Sequence, residues 1–317
     1  MKITIISYDN WGFNDYLVDY LKQNNHEVKH IDFSKFKYKY PNIFFKVYNF
    51  FLKIIAKKDL KRIFYGKKII AELIPNQDIV LTIKGDFIDP KYLKEIKKYT
   101  NVSVGFFNDS YAKCPKIKNV LNCFDEVYSF EKNDCKKFNL KFATNWIYKQ
   151  SNKNEIHNHS YDVFNISSKD RRYPIILNIA KNLLKNNIKS KILIHDKKNK
   201  TNDDGIEVIT NKLSLNEVYQ LIDKSRALLD INRPKQNGLT FRVFESLGTN
   251  KKLITTNSDI INYDFYDERN ILIIDEKNPE IPSSFFKNAY VEVPNEVYKK
   301  YTIAGWIENV IFSNIKK

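Results

Sequence analysis

Asn232-Arg233-Pro234-Lys235-Gln236-Asn237-Gly238-Leu239-Thr240-Phe241-Arg242-Val243-Phe244-Glu245-Ser246-Leu247-Gly248-Thr249-Asn250 carries a loop, a helix cap and a helical period in one run. The apolar run Leu228–Ile231 ends just before it, and Leu253–Thr255 follows it. Pro234 and Gly238 interrupt the pattern as a loop does. Thr240 suits a helix N-cap, because its hydroxyl can accept from a first-turn N–H. Phe241, Phe244 and Leu247 then recur at the spacing of one helix face, and Gly248 is placed as a helix stop. The stretch reads as strand, loop, helix, strand, an order in which the long crossover makes the strands parallel.

Outward from it, the same alternation fills the chain. In the first half, strands are expected at Lys2–Ser7, Val28–Ile31, Ile79–Ile83, Val102–Phe107 and Glu126–Phe130. Helical patterns lie at Asn14–Gln23, Pro90–Tyr99 and Lys116–Cys123. In the second half, strands are expected at Asp162–Ile166, Ser190–Ile194, Gly205–Thr210, Ala227–Ile231, Lys252–Thr255 and Ile271–Ile274. Helices there are Pro174–Asn186, Leu215–Lys224 and Thr240–Leu247, with one or two more over Val297–Ile315. Lys149–Ser160 is polar and rich in Asn, Lys and His, and it marks a boundary. We therefore divide the chain into domains 1–150 and 151–317, in keeping with roughly 150 residues per domain. Strands this apolar belong to parallel sheets covered on both faces. Ligands of such sheets bind beyond the carboxyl ends of the strands, and in a two-domain version the cleft between the sheets is the natural site.

The opening stretch carries the most specific chemistry. A helix N-terminus presents unpaired N–H groups and a positive dipole end, which suit a phosphate. Gly238 permits close backbone approach, and Arg242, one turn in, can add a bidentate contact. Glu245 follows Arg242 by three positions, so the two share a helix face. A carboxylate there can accept from both hydroxyls of a ribose diol. The residues alone leave two readings open: this anion-and-diol site, or an ion pair on a solvated helix.

Gly238-Leu239-Thr240-Phe241-Arg242-Val243-Phe244-Glu245 resembles the donor-nucleotide segment of GT-B glycosyltransferases, and in particular of the CgeB-type branch found in capsule and lipopolysaccharide synthesis. Phe106-Phe107-Asn108-Asp109-Ser110, with Phe124-Asp125-Glu126-Val127-Tyr128-Ser129-Phe130 and Asp134, is similar to the acceptor-side domain of those proteins. The resemblance implies an α/β protein of two facing Rossmann-like domains with C-terminal helices. The first would be the acceptor side, and the second would bind a nucleotide-sugar, expected to be a nucleoside-diphosphate-linked donor. It implies that Glu245 meets the ribose and that Gly238, Leu239 and Thr240 lie over the diphosphate and sugar. Lys169 and Arg172, with Arg171 as alternate, match the basic position after the first strand of the second domain, the other reading being a solvated basic loop; His195 either lies near the base or is incidental. Eight positions before Glu245, where retaining members carry a second glutamate, stands Asn237. An inverting transfer needs a general base near the acceptor hydroxyl. Asp9, Asp86 and Asp109 each end a first-domain strand, and Asp109 matches the resemblance best. Each also suits a turn or cap. No Asp-x-Asp triplet lies in a loop suited to a metal diphosphate, and Asp203-Asp204-Gly205 is a polar turn. Basic groups and a helix dipole can stabilise the leaving group instead, so the expectation is a metal-independent hexosyltransferase with no bound cofactor. The alternative is a non-catalytic nucleotide- or carbohydrate-binding protein, with a single-stranded nucleic-acid-binding protein ranked behind it.

Charge sharpens the choice of partner. The 317 residues carry 53 Lys+Arg against 37 Asp+Glu, a net +16, and residues 35–73 hold eleven basic and two acidic side chains, a local +9. Within that segment Ile43–Ala56 is almost wholly apolar or aromatic, with Lys46, Asn49, Lys53 and Lys57 as a narrow polar stripe. Such a helix either packs on the sheet or dips into an anionic membrane surface. Tyr and Phe interleave with Lys in Phe36–Tyr40, as in single-strand binders, yet βα alternation is foreign to nucleic-acid modules and no nucleic acid is expected as partner. Three cysteines, Cys114, Cys123 and Cys135, have neither disulfide-framework nor metal-ligand spacing. There is no secretory leader pattern at Met1–Ile6 and no apolar run of about 18 residues. The expected location is cytoplasmic, with peripheral attachment to the inner face of the membrane through residues 35–73.

Overall fold

The computed structural model describes residues 1–151, 159–198 and 201–315. Of the polar boundary stretch Lys149–Ser160, residues 152–158 lie outside the described residues. The chain forms two compact units. The first is Met1–Thr144 together with the residues from Ile303 onward, and the second is Asn145–Thr302. The division falls at 144/145 and again at 302/303, whereas the sequence placed it once, at 150/151.

In the first unit six parallel strands are β1 (Lys2–Ser7), β2 (Glu27–Asp32), β3 (Gln77–Ile83), β4 (Thr100–Phe107), β5 (Glu126–Ser129) and β6 (Lys141–Phe142). Their order is β2-β1-β3-β4-β5-β6. The helices are α1 (Phe13–Gln23), α2 (Ile43–Ile55), α3 (Leu60–Glu72), α4 (Pro90–Ile96) and α5 (Lys132–Phe138). Lys116–Cys123, expected as one helix, forms two short 3-10 segments, Pro115–Asn119 and Leu121–Cys123. The reason is visible in its apolar spacing. Ile117, Val120 and Cys123 are buried at strict intervals of three, the period that eclipses in a 3-10 helix. Backbone bonds of the i to i+3 kind join Cys114, Ile117, Val120 and Cys123 in series.

In the second unit the strands are β7 (Tyr161–Ser168), β8 (Ser190–His195), β9 (Glu207–Ile209), β10 (Ser225–Asp230), β11 (Lys252–Thr255) and β12 (Ile271–Ile273), all parallel. Their order is β12-β11-β10-β7-β8-β9. The helices are α6 (Tyr173–Lys185), α7 (Leu215–Asp223), α8 (Phe241–Gly248) and α9 (Asn295–Tyr301). Helix α6 buries Ile176, Ile179, Ala180 and Leu183, an i, i+3, i+4, i+7 stripe, into one face of the sheet. Helix α8 buries Val243, Phe244 and Leu247 into the other.

The tail explains the second division. Helix α10 (Ile303–Val310) buries Ile303, Trp306, Ile307 and Val310 in the first unit. The Trp306 indole N–H donates to the Thr144 carbonyl at 2.8 Å, and its ring stands edge-on to Phe106. The Tyr128 hydroxyl donates to the Asn309 carbonyl at 3.1 Å. Just before the break, Ile147 N–H donates to the Tyr301 carbonyl at 2.7 Å, inside the second unit.

Candidate functional site

In each sheet the chain starts in the middle, winds to one edge, and returns to build the other side. The reversal lies between β7 and β10 in the second unit and between β1 and β3 in the first. The carboxyl ends of strands flanking such a reversal are where open α/β sheets bind ligands.

At the β7/β10 reversal the structure gathers most of the residues singled out in the second half. Thr240 caps α8 by accepting from Arg242 N–H at 3.1 Å, and its own hydroxyl donates to Asp230 at 2.8 Å. Asp230 ends β10 and also accepts from the Thr255 hydroxyl at 3.2 Å. Burial pushes its carboxyl above the ordinary range, while the Thr240 hydroxyl and the positive charges of Arg242 and Arg172 oppose that rise. Arg172 donates to the Ile231 carbonyl at 2.9 Å and grips Asp170 with Nε and Nη2, both at 3.0 Å. Arg233 reaches the same carboxylate at 3.3 Å and is 43% exposed, more open than Arg172 or Arg242. Lys169, directly after β7, pairs at 3.3 Å with Asp196, which follows β8. Arg171 is exposed.

Residues 232–239 of the loop are held by side-chain amides. Asn232 donates to the Gln236 carbonyl at 2.9 Å, Gln236 to that of Gly238 at 3.1 Å, Asn257 to that of Asn237 at 3.0 Å, and Asn145 to that of Leu239 at 2.9 Å. A loop tied this way meets a ligand with little ordering left to do. Leu239 is 1% exposed and its side chain belongs to the core, so only its backbone can serve a ligand. Gly238 does not adopt the left-handed conformation; among the described glycines Gly12 and Gly205 do. The Asn145 Oδ1 and His195 Nε2 atoms are buried without a partner. Buried polar atoms of this kind cost free energy until something hydrogen-bonds them.

Arg242 and Glu245 do pair, but in the interior rather than on a solvated face. Arg242 Nη1 is 2.6 Å from one Glu245 oxygen, and the side chains are 12% and 5% exposed. The Tyr148 hydroxyl donates to the other oxygen at 2.5 Å. The Arg242 guanidinium lies over the Phe164 ring. Both Glu245 oxygens are thus engaged within the protein. The Gly248 position, read as a helix stop, is the last residue of α8. A Cβ there would stand 2.4 Å from the Lys149 carbonyl oxygen, so the close approach of the 147–149 segment requires glycine.

Sequence reading missed Asp230, Arg233, Tyr148 and Asn145 as participants. Asp230 was legible as the polar residue closing a buried strand. Tyr148 and Asn145 are more than 90 positions from their partners, and no local pattern links them.

The first unit builds a different cluster. Lys84, at the end of β3, has a left-handed backbone (φ 62°) that turns the chain into Gly85–Phe87. Its ammonium is 3.2 Å from Asp109, which follows β4, and Lys113 pairs with the other Asp109 oxygen. Burial would raise the Asp109 carboxyl, but Lys84 and Lys113 outweigh it and hold it below the usual range. Asp86 goes the other way. Burial and then the Asp109 charge push it up to about 6, against the pull of Lys84 and Arg62. Asp9 is a turn residue, accepting from the N–H groups of Trp11, Gly12 and Asn14 at 2.7–2.9 Å. Asp203 is bonded by the Tyr173 hydroxyl. Among the described residues, no group of three or more His, Cys, Asp or Glu side chains could hold a metal ion.

No family model matches the sequence, and neither does any curated protein. Solved structures do. The glycotransferase of kitacinnamycin superposes with a TM-score of 0.51 at 9% identity, over 99% of this chain and 98% of that one. The N-terminal domain of trehalose-6-phosphate phosphatase from Candida albicans gives 0.54 at 9% identity, over 99% and 96%. At such identities the likeness shows the fold, which is the GT-B class with two Rossmann-like parallel sheets.

Proposed function

We propose that the chain is a glycosyltransferase that moves a hexosyl group from a nucleoside-diphosphate sugar to a hydroxyl of a cell-surface glycan or lipid-linked acceptor, in capsule or lipopolysaccharide synthesis. The observation that carries this is the convergence of the α8 N-terminus with Arg172, Arg233 and Arg242 on the carboxyl ends of β7 and β10. Helix N-terminus and guanidinium groups together suit a diphosphate. Lys169 stands at the rim of the same strand ends and Glu245 behind them.

In the step proposed, an acceptor oxygen bonds to the anomeric carbon while the carbon–oxygen bond to the diphosphate breaks. The electron pair leaves with the nucleoside diphosphate, whose growing charge the helix dipole and arginines stabilise without a metal. The acceptor proton goes to a carboxylate of the first unit. Asp109 is the residue the sequence singled out, but its two lysine partners make it a weak base. We assign the proton to Asp86, and to Asp109 the charge that keeps Asp86 basic.

A thermal-shift screen of nucleotides and nucleotide-sugars tests the binding half. A ligand of the native state raises the melting temperature by an amount set by concentration over Kd. At least one nucleoside diphosphate should do so, and Arg172→Ala should abolish the effect. Release of free nucleotide with an envelope glycan extract tests the transfer half. A screen without a single shift would remove the proposal.

A further inference from the structure

Helix α2 is built inside out. Of its 13 residues, nine are large apolar side chains exposed to solvent, including Phe44 at 78%, Phe50 at 59% and Ile55 at 80%. They are the majority of all exposed large apolar side chains among the described residues. The residue it buries is Asn49, at 1%. The Asn49 side-chain Oδ1 accepts from Leu60 N–H at 2.8 Å, and its Nδ2 donates to the Tyr40 hydroxyl at 2.7 Å. Lys53, on the same stripe, pairs with Asp59 at 3.1 Å. The helix therefore rests on its unit by its polar stripe and turns its apolar arc outward. Ordinary packing, the first of the two options open in the sequence, would do the reverse.

We propose that α2 docks on a lipid bilayer with anionic headgroups. At about 100 Å² apiece, nine such side chains expose on the order of 900 Å², beyond the ~300–600 Å² of the largest patch on an ordinary monomer. At about 100° per residue the apolar positions sweep roughly 220° of the helix, far wider than the ~100° seam one partner helix covers. A fluid apolar phase covers such an arc; a single protein face does not. The charge agrees: Lys35, Lys37, Lys39, Lys46, Lys57 and Lys58 are exposed around α2, within the +9 segment. Basic residues beside an apolar, aromatic helix match the interface of an anionic leaflet. The length fixes the depth. Thirteen residues span about 20 Å, too short to cross about 30 Å of hydrocarbon, so the helix lies in the interface plane. This attachment does not depend on the donor chemistry proposed above.

The experiment is sedimentation of the full chain with vesicles of phosphatidylcholine alone and of phosphatidylcholine with about 30% phosphatidylglycerol. Phe50→Trp in the wild-type background reports insertion by a blue shift of emission. Binding should require the anionic lipid, weaken with salt, and fall about tenfold or more in the Phe44→Asp/Phe51→Asp/Ile55→Asp variant. Circular dichroism and melting temperature of that variant should match wild type, since the replaced side chains point to water. Equal sedimentation of the variant and wild type, or no anionic-vesicle binding, overturns the proposal. So does a concentration-dependent dimer abolished by the same variant, which would make a second copy the occupant.

Discussion

Asp86→Asn should make the protein more stable at pH 8 and leave its stability unchanged at pH 4. The Asp86 carboxyl has an unfolded reference of 3.8 and a native value of about 6. Its stabilising contribution is therefore complete below the unfolded value, where both states hold the proton. It is lost as pH rises through about 6, where the native state must accept a buried charge. A shift of about two units, at 1.36 kcal/mol each, makes the cost about 3 kcal/mol at pH 8. Asparagine resembles the protonated acid and never takes on that charge. Urea unfolding of wild type and variant at the two pH values reads the difference directly. The gap should be near zero at pH 4 and about 3 kcal/mol in favour of the variant at pH 8. If the variant is less stable at pH 8, or the gap does not change with pH, the carboxyl is not held in the desolvated, like-charged setting described here. Transfer activity should be lost in the same variant, and in wild type kcat/KM should rise with pH through about 6 as the base deprotonates.

Asp109→Asn removes the second cause of the Asp86 shift, so the pH–rate profile should move to lower pH while transfer persists at a reduced rate. Gly248→Ala should lower stability by about 2–3 kcal/mol despite the better helix propensity of alanine, because its Cβ would meet the Lys149 carbonyl; a thermal melt equal to wild type would contradict the packing. Glu245→Ala strips the partner from a buried guanidinium and should cost about 3–5 kcal/mol, so it cannot isolate a ribose contact. Tyr148→Phe is the cleaner probe: it should cost about 1 kcal/mol of stability and alter nucleotide affinity only if a ligand hydroxyl reaches the freed Glu245 oxygen, as titration calorimetry would show.

Most strands and helices were legible because their periods are local. Runs such as Ile79–Ile83 and Lys252–Thr255, and the helical spacing of Phe241, Phe244 and Leu247, name their own secondary structure. Helices α3 and α5 and the two-residue β6 were not anticipated. Helix α3 has a mixed face with Gly66 at its centre, α5 is seven mostly polar residues, and β6 is too short for a pattern. Of the site, Thr240, Arg242 and Glu245 could be grouped because the 3.6-residue turn sets their relation. Tyr148 could not be added to them, since it reaches Glu245 from 97 positions away.

Local pattern is enough for a chain of alternating strands and helices, hence parallel sheets, and for a capped helix at a strand end with an Arg and a Glu on one face. These are consequences of backbone periodicity and turn chemistry within about a dozen residues. The packing of the elements then set how deeply those side chains are buried and how they hold charge. It buried the Arg242–Glu245 pair, split Asp86 from Asp109 in proton affinity, returned the last helix to the first unit, and turned the apolar arc of α2 to the outside. Burial and long-range charge are properties of how elements pack, and packing is set by contacts between residues that the chain itself keeps far apart.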